Sequence, residues 1–437
     1  MLLRLLLLKI RQQSLEVEEE LLSARCPTVT GTTRAPRILS VMQSATLARP
    51  IVAPTGLAHE VAGAFGDIGV FLPLALGLIA VNGMDPTLVF GLAGAYYLLT
   101  GRFYRLPLPV QPFKAVSAIA IAGGLSAGTV QGAALGMSLG LLLLSLGRAP
   151  AIIDRLFAPP VVRGIQLGLG IILLQGGLQL VIRDQRMPAG AGTIGAAALL
   201  LAGVMAVALV QARGRVPAIL VAGVVGLIWG ALTLPAALPP VSLGPVLVLP
   251  ALPTGAELGT ALAVLVLPQL PLTLGNSVVS TADVAQEYFG ERAVRVTPRT
   301  LLRDMGLANL AAGLGGGIPM CHGAGGLTAH VRFGARTATA AYVAGVFYLV
   351  LALGLGAAAP AFLALFPMAM LGVLVGYVGW QHLLLVRRLR APADLAVAGL
   401  IGAVTLVAGS LALGFGVGLA VYWGRRLAIG RISRKPT

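Results

Sequence analysis

The sequence predicts an all-α polytopic membrane protein of about 14 spans, arranged as a seven-plus-seven inverted repeat. Three observations predict it. Of 437 residues, 57% are apolar and only 11% charged, against roughly 25% charged in a soluble domain. Apolar stretches of about 20 residues, long enough to cross a hydrocarbon core, recur from Leu57 to the end. Two polar, proline-broken segments return in the same order about 200 residues apart, as a repeated transporter architecture requires.

Apolar runs and their breakers place the segments at 56–81, 86–103, 109–124, 127–147, 158–182, 191–211, 216–236, 258–282, 298–314, 319–334, 337–356, 361–386, 393–409 and 411–425. The pieces 109–124 and 319–334 are too short and too polar to cross lipid alone, and read as half-helices preceded by short extended segments. Residues 1–50 read as a disordered cytoplasmic tail, 51–240 as the first repeat, 250–426 as the second and 427–437 as a cytoplasmic tail. Seven segments is an odd number, so the second copy runs inverted through the membrane.

Charge tests the count. With both termini cytoplasmic, the inside loops collect Arg102, Arg105, Arg148, Arg155, Arg163, Arg213, Arg215, Arg292, Arg295, Arg299, Arg303, Arg332, Arg336, Arg387, Arg388 and Arg390. Only Arg183 and Arg186 fall outside, and Lys114 stays in the membrane. The expectation is a multi-pass protein of a cell membrane, the inner membrane in a bacterium.

The net charge of +16 lies in short gaps between apolar runs. It therefore reports topology, and no nucleic-acid partner is expected. Cys26 and Cys321 sit in very different surroundings and suggest no disulfide framework. His59-Glu60 begins like a zinc-hydrolase motif, but Gly63 stands where the second His belongs. No metal and no cofactor are expected. The sequence admits a homodimer.

Four segments carry the chemistry. In Phe65-Gly66-Asp67-Ile68-Gly69, an acid inside the first helix needs a partner, a cavity or a proton role. In Leu106-Pro107-Leu108-Pro109-Val110-Gln111-Pro112-Phe113-Lys114, alternating prolines enforce an extended strand, and Pro112 suits the start of the next helix. Gln111 offers donors there. Lys114 either faces an anion, pairs with Asp67 or snorkels to the surface. The stretch Gly315 to Thr328 holds six glycines around Pro319, Cys321 and His322. Two half-helix N-termini meeting at mid-membrane would form a pocket for a tetrahedral dianion, whereas close packing alone is the plainer account of the glycines. Gly323 lies in this pocket, and His322 either donates to an anion, carries a proton or is an ordinary buried histidine. In Pro268 to Ser277, two prolines open the helix. Gln269, Thr273 and Asn276 share one face, to hold an oxyanion or to bond between helices.

These segments resemble the molybdate transporter family, a divergent relative of the sulfate permease (SulP) group. The resemblance rests on Phe65-Gly66-Asp67-Ile68-Gly69 with Pro73, on Pro107 to Lys114, and on Pro319 to Leu327 followed by Arg332-Phe333-Gly334-Ala335-Arg336-Thr337. Val70, Phe113 and Thr328-Ala329-His330 depart from the family pattern. The resemblance implies the fold shared with uracil permease, in which a core of the first four helices of each repeat moves against a gate of the last three. It also implies import of molybdate without a cytoplasmic STAS domain, since only about 12 residues follow the last span. The anion would be held by Gln111, Lys114, Gln269, Asn276 and the backbone at Cys321, His322 and Gly323, with Asp67 or His322 as coupling or gating group. The alternatives are transport of sulfate or tungstate, a nucleobase permease, and an intramembrane enzyme using Cys321 and His322. The last needs a poor geometry for proton transfer between adjacent residues.

Overall fold

The computed structural model describes residues 56–146, 158–184, 192–212, 218–233, 243–246, 250–358, 361 and 365–432. The N-terminal tail, Arg148, Arg155, Arg186, Arg213 and Arg215 lie outside the described residues. The first span is two helices, α1 (Leu57–Ala64) and α2 (Ile68–Asn82). They part at Phe65–Asp67, where Gly66 lies so close to Ala329 that a Cβ would sit 2.7 Å from its carbonyl oxygen. Asp67 therefore stands at the break of the first span. Helix α3 (Pro86–Tyr104) starts on an Asp85 cap, whose Oδ1 accepts from Leu88 N–H, with Pro86 at its first position.

The prolines of 106–112 then hold the chain extended as far as β1 (Gln111–Pro112), and the half-helix α4 (Lys114–Gly123) follows. Helices α5 (Ala127–Leu146), α6 (Pro159–Ile182), α7 (Gly192–Ala212) and α8 (Ala218–Leu232) complete the first half.

The second half opens with one long rod, α9 (Gly255–Thr260), α10 (Leu267–Leu272) and α11 (Ser280–Phe289). Wider π-helical turns at Ala261–Val266 and Thr273–Val279 join them. Pro268 and Pro271 cannot donate to the preceding turn, and the flanking π turns absorb the lost bonds without breaking the rod. Next come α12 (Pro298–Leu314), β2 (Met320–Cys321), the half-helix α13 (Ala324–Arg332), α14 (Ala338–Leu355), α15 (Met368–Leu384), α16 (Pro392–Ala408) and α17 (Leu411–Ile432). Among the described residues, each expected segment overlaps a helix. The span expected from 361 has its main helix starting only at Met368. Among the described residues, six helical stretches, Leu57–Asn82 and Gly255–Ala293 among them, are long and apolar enough to cross a membrane by length and composition.

The most extensive helix pairs join the two halves: α3 with α14, α5 with α12, and α6 with α15 and α16. They fall into two sets, α1–α5 with α9–α14 and α6–α8 with α15–α17, which meet through α4 on α6 and α2 on α15. Outward rows such as Leu139, Leu143 and Leu146 on α5, and Val346, Val350 and Leu353 on α14, are exposed. Apolar rows of this kind are the surface that a membrane-spanning helix presents to lipid.

Glycines set the closest approach. A Cβ at Gly177 would lie 2.6 Å from the Gly372 carbonyl oxygen, and one at Gly170 would lie 2.8 Å from that of Gly379. Backbone faces backbone there, so neither side can yield. Gly177→Leu is expected to destabilise the α6–α15 pair by more than about 3 kcal/mol. The check is a collapse of the monodisperse peak in detergent size exclusion, with Gly399→Leu, where nothing lies within 4 Å, leaving the peak intact.

Candidate functional site

The two extended segments cross each other at the heart of the first set of helices. β1 and β2 pair antiparallel, with Gln111 opposite Cys321 and Pro112 opposite Met320, and Phe113 N–H donates to the Pro319 carbonyl at 2.9 Å. Each strand runs straight into its half-helix, so α4 and α13 both start from the paired strands. Asn309 fixes the second strand. Its Oδ1 accepts from Met320 N–H at 2.9 Å and its Nδ2 donates to the Met320 carbonyl at 2.8 Å.

The prolines of the first strand leave carbonyls that need donors, and side chains supply them. His322 Nδ1 lies 2.7 Å from the Pro109 oxygen, His330 Nδ1 lies 2.9 Å from that of Pro107, and Tyr97 O–H donates to Val110 at 3.1 Å. A carbonyl only accepts, so both histidines carry a proton on Nδ1. His330 is thereby a structural clamp.

The two half-helix starts differ. Gln269 Oε1 accepts from the Ala115 N–H at 2.9 Å and the Val116 N–H at 3.4 Å, and its Nε2 donates to Thr273 Oγ1 at 2.9 Å. The Ala115 and Val116 amides at the α4 start are therefore not free. Gln269 caps them, and its side chain is committed to the helix start and not offered to a ligand. The α13 start is open. Among the described residues no acceptor meets the N–H of Ala324, Gly325 or Gly326, which leaves three donors and the positive end of the helix dipole. Gly325 is exposed and has nothing within 4 Å of where a Cβ would stand.

A polar chain overhangs this open start. Gln111 Nε2 donates to both Asp67 carboxylate oxygens at 2.6 Å, and Lys114 Nζ donates to Gln111 Oε1 at 2.8 Å. One amide thus links the acid and the cation. Lys114 neither snorkels outward nor touches Asp67 directly. Gly326 makes room for the chain, since a Cβ there would lie 2.6 Å from Gln111 Nε2 and 2.7 Å from Asp67 Oδ2. A Cβ at Gly323 would overlap Gln111 Oε1 and lie 3.4 Å from Asn276 Nδ2. The structure therefore gathers Asp67, Gln111, Lys114, Asn276 and Gly323 around the α13 start.

Cys321 and His322 are separated. The Cys321 side chain is buried. The His322 ring turns to the other face of the strand, where Nε2 lies 2.6 Å from Asp304 Oδ2 and 2.8 Å from the Tyr96 hydroxyl. This corrects the placement of the His322 side chain in the ligand shell: side chains alternate along an extended strand, so its ring faces away from the open helix start. It also commits the His322 imidazole to Asp304, Tyr96 and the Pro109 carbonyl, away from the Cys321 thiol. Asp304, Tyr96 and Asn309 were missed in the sequence. The rule that flagged Asp67 also flags Asp304, the one acid in the span 298–314.

Glu60, read as half of a failed zinc motif, has a plain role. It is buried, and its carboxylate accepts from the N–H of Arg336 at 3.0 Å and of Thr337 at 3.4 Å, anchoring the turn between α13 and α14.

The chain is similar to known proteins over most of its length. It is 27% identical over 407 residues to Molybdate transporter 2 of Arabidopsis thaliana, covering 84% of this chain and 87% of that protein. It is 28% identical over 471 residues to Molybdate transporter 1 of Chlamydomonas reinhardtii, covering 82% and 90%. Among solved structures, it resembles the transmembrane domain of the cyanobacterial bicarbonate transporter BicA, with a TM-score of 0.57 at 21% identity over 83% of this chain and 96% of that one. It also resembles murine Slc26a9, an anion transporter in its inward-facing state, with a TM-score of 0.58 at 14% identity over 93% and 77%. These likenesses carry the fold, that of the SulP and SLC26 transporters. The family model for "Molybdate transporter of MFS superfamily" matches residues 59–173 and 261–381. Those ranges contain both crossed strands and both half-helices, and the chain belongs to this molybdate transporter family.

Proposed function

We propose that this protein imports molybdate by alternating access, with the anion seated at the open start of α13. The observation that supports this best is the difference between the two half-helices. One is capped by Gln269, while the other leaves three N–H donors beneath Gln111 and Lys114. A tetrahedral dianion accepts several such bonds at once, and uncapped helix starts attract negative charge. Asn276 adds a neutral donor from the π-helical turn, and the backbone at Cys321 to Gly323 forms the floor. Asp67 lies at the same point, so a dianion entering there must displace it, neutralise it or share Gln111 with it. The two repeats are residues 51–240 and 250–426. Helices α1–α5 with α9–α14 form the part that carries the anion, and α6–α8 with α15–α17 form the part it moves against. The arginine bias puts both termini in the cytoplasm.

Uptake of molybdenum by cells expressing the chain tests the reading. Excess unlabelled molybdate is expected to suppress the signal, and equimolar sulfate to leave most of it. Uptake untouched by cold molybdate sinks the proposal, and equal suppression by sulfate reassigns the substrate to the wider oxyanion class.

A further inference from the structure

We propose that His322 and Asp304, with Tyr96 between them, form a proton-exchanging site that sets anion affinity from behind the crossed strands. The inference rests on the anion-binding reading above and adds a second site to it.

The geometry supplies the switch. His322 Nδ1 is fixed as a donor by the Pro109 carbonyl at 2.7 Å. Its Nε2 faces a carboxylate oxygen of Asp304 at 2.6 Å, so a proton lies between these two atoms. The Tyr96 hydroxyl reaches either of them, at 3.0 Å from Asp304 Oδ2 and 2.8 Å from His322 Nε2. The imidazole is fully buried, while the Asp304 side chain is 24% exposed, so protons enter and leave through the aspartate.

The groups facing the pair are Tyr96 and Tyr104 from α3, Thr300 from α12, Thr281 from α11 and the neighbouring Cys321. Tyr104 O–H donates to Asp304 at 3.3 Å, and Thr281 Oγ1 donates to the His322 carbonyl at 2.9 Å. Among the described residues, no other ion pair reaches Asp304.

In the loaded form the pair is an imidazolium and a carboxylate, neutral in sum. On release, the Nε2 proton passes to Asp304 and from there to water. Tyr96 then turns its O–H from Asp304 to the bare Nε2, and Tyr104 continues to donate to the carboxylate. The cluster ends with one more negative charge, one residue from Gly323 and the anion seat. Like charge at that range in a poorly screened interior weakens anion binding. Anion and proton therefore bind together and leave together.

The test uses the purified full chain and molybdate as probe, with affinity read from about pH 5 to about pH 8 and proton uptake read in weak buffer. The wild type is expected to lose at least about tenfold in affinity across that range and to take up protons on binding near its upper end. Asp304→Asn is expected to bind with little pH dependence and no proton uptake. Tyr96→Phe removes the donor that stabilises the released form, and is expected to keep binding tight to higher pH. Wild-type binding without proton uptake overturns the proposal while leaving the anion site standing. So does an Asp304→Asn protein with the wild-type pH profile, or proton uptake lost only in Asp67→Asn. Should Asp304→Asn fail to fold, an unshifted Tyr96→Phe profile overturns it. Failure of the wild type to bind molybdate at any pH counts against the anion site itself.

Discussion

Gly326→Val is expected to remove molybdate binding while leaving a folded protein. The first added carbon would lie 2.6 Å from Gln111 Nε2 and 2.7 Å from Asp67 Oδ2, inside the contact distance of either atom. Both side chains are buried and bonded to each other, so neither can move without breaking that bond. Valine then adds two methyl groups beside the open amides. Losing the Gln111 link and obstructing the α13 start costs about 3 kcal/mol or more in binding, on the order of 100-fold in affinity. Stability suffers less, because the lost contacts are side-chain tips and not backbone. The neighbouring Gly325 supplies the control. It is exposed with nothing within 4 Å, so Gly325→Ala should leave the fold intact or stabilise it by roughly 0.5–1 kcal/mol. Calorimetric titration with molybdate and a thermal melt separate the two effects. Wild-type affinity in Gly326→Val would place the anion elsewhere.

Much of this architecture was legible in the sequence because its determinants are local. An apolar run of sufficient length makes a span, and alternating prolines make an extended strand. A proline or glycine ahead of a short helix marks its start. Phe65 to Pro73, Pro107 to Lys114 and Pro319 to Leu327 were found in this way. The partners of the polar residues were not legible, because the crossing of two distant strands decides them. Gln269 caps a helix start 154 residues away, which its own helix spacing cannot reveal. His322 and Gly323 are neighbours in sequence, yet the strand's alternation sends the imidazole to Asp304 and leaves the glycine against Gln111. The π turns around Pro268 and Pro271 were also hidden. Their residues keep helical backbone angles, Ala261 and Thr273 among them, and only the bonding register widens.

Lys114→Met is expected to weaken molybdate binding about 100-fold, and Asp67→Asn in the same chain to restore much of the loss. Lys114 Nζ reaches Asp67 only through Gln111, so acid and cation balance across one amide. Removing the cation leaves an uncompensated carboxylate beside the seat of a dianion. At about 5 Å and an effective dielectric near 20, one unit charge interacts with another by about 3 kcal/mol. Screening and relaxation reduce the doubled charge of the ligand to a loss of similar size. Converting Asp67 to Asn removes the repulsion and keeps a polar group for Gln111, so the double variant should recover about tenfold or more. The cycle separates the roles that the sequence left open for Lys114. Were Lys114 only the partner of Asp67, the double variant would bind as tightly as wild type. Were it only a direct anion contact, Asp67→Asn would tighten binding by the same factor in the wild type and in Lys114→Met. Partial recovery that exceeds the gain Asp67→Asn gives the wild type is the signature of a lysine that does both, holding Gln111 and Asp67 in the empty site and turning to the anion when it arrives.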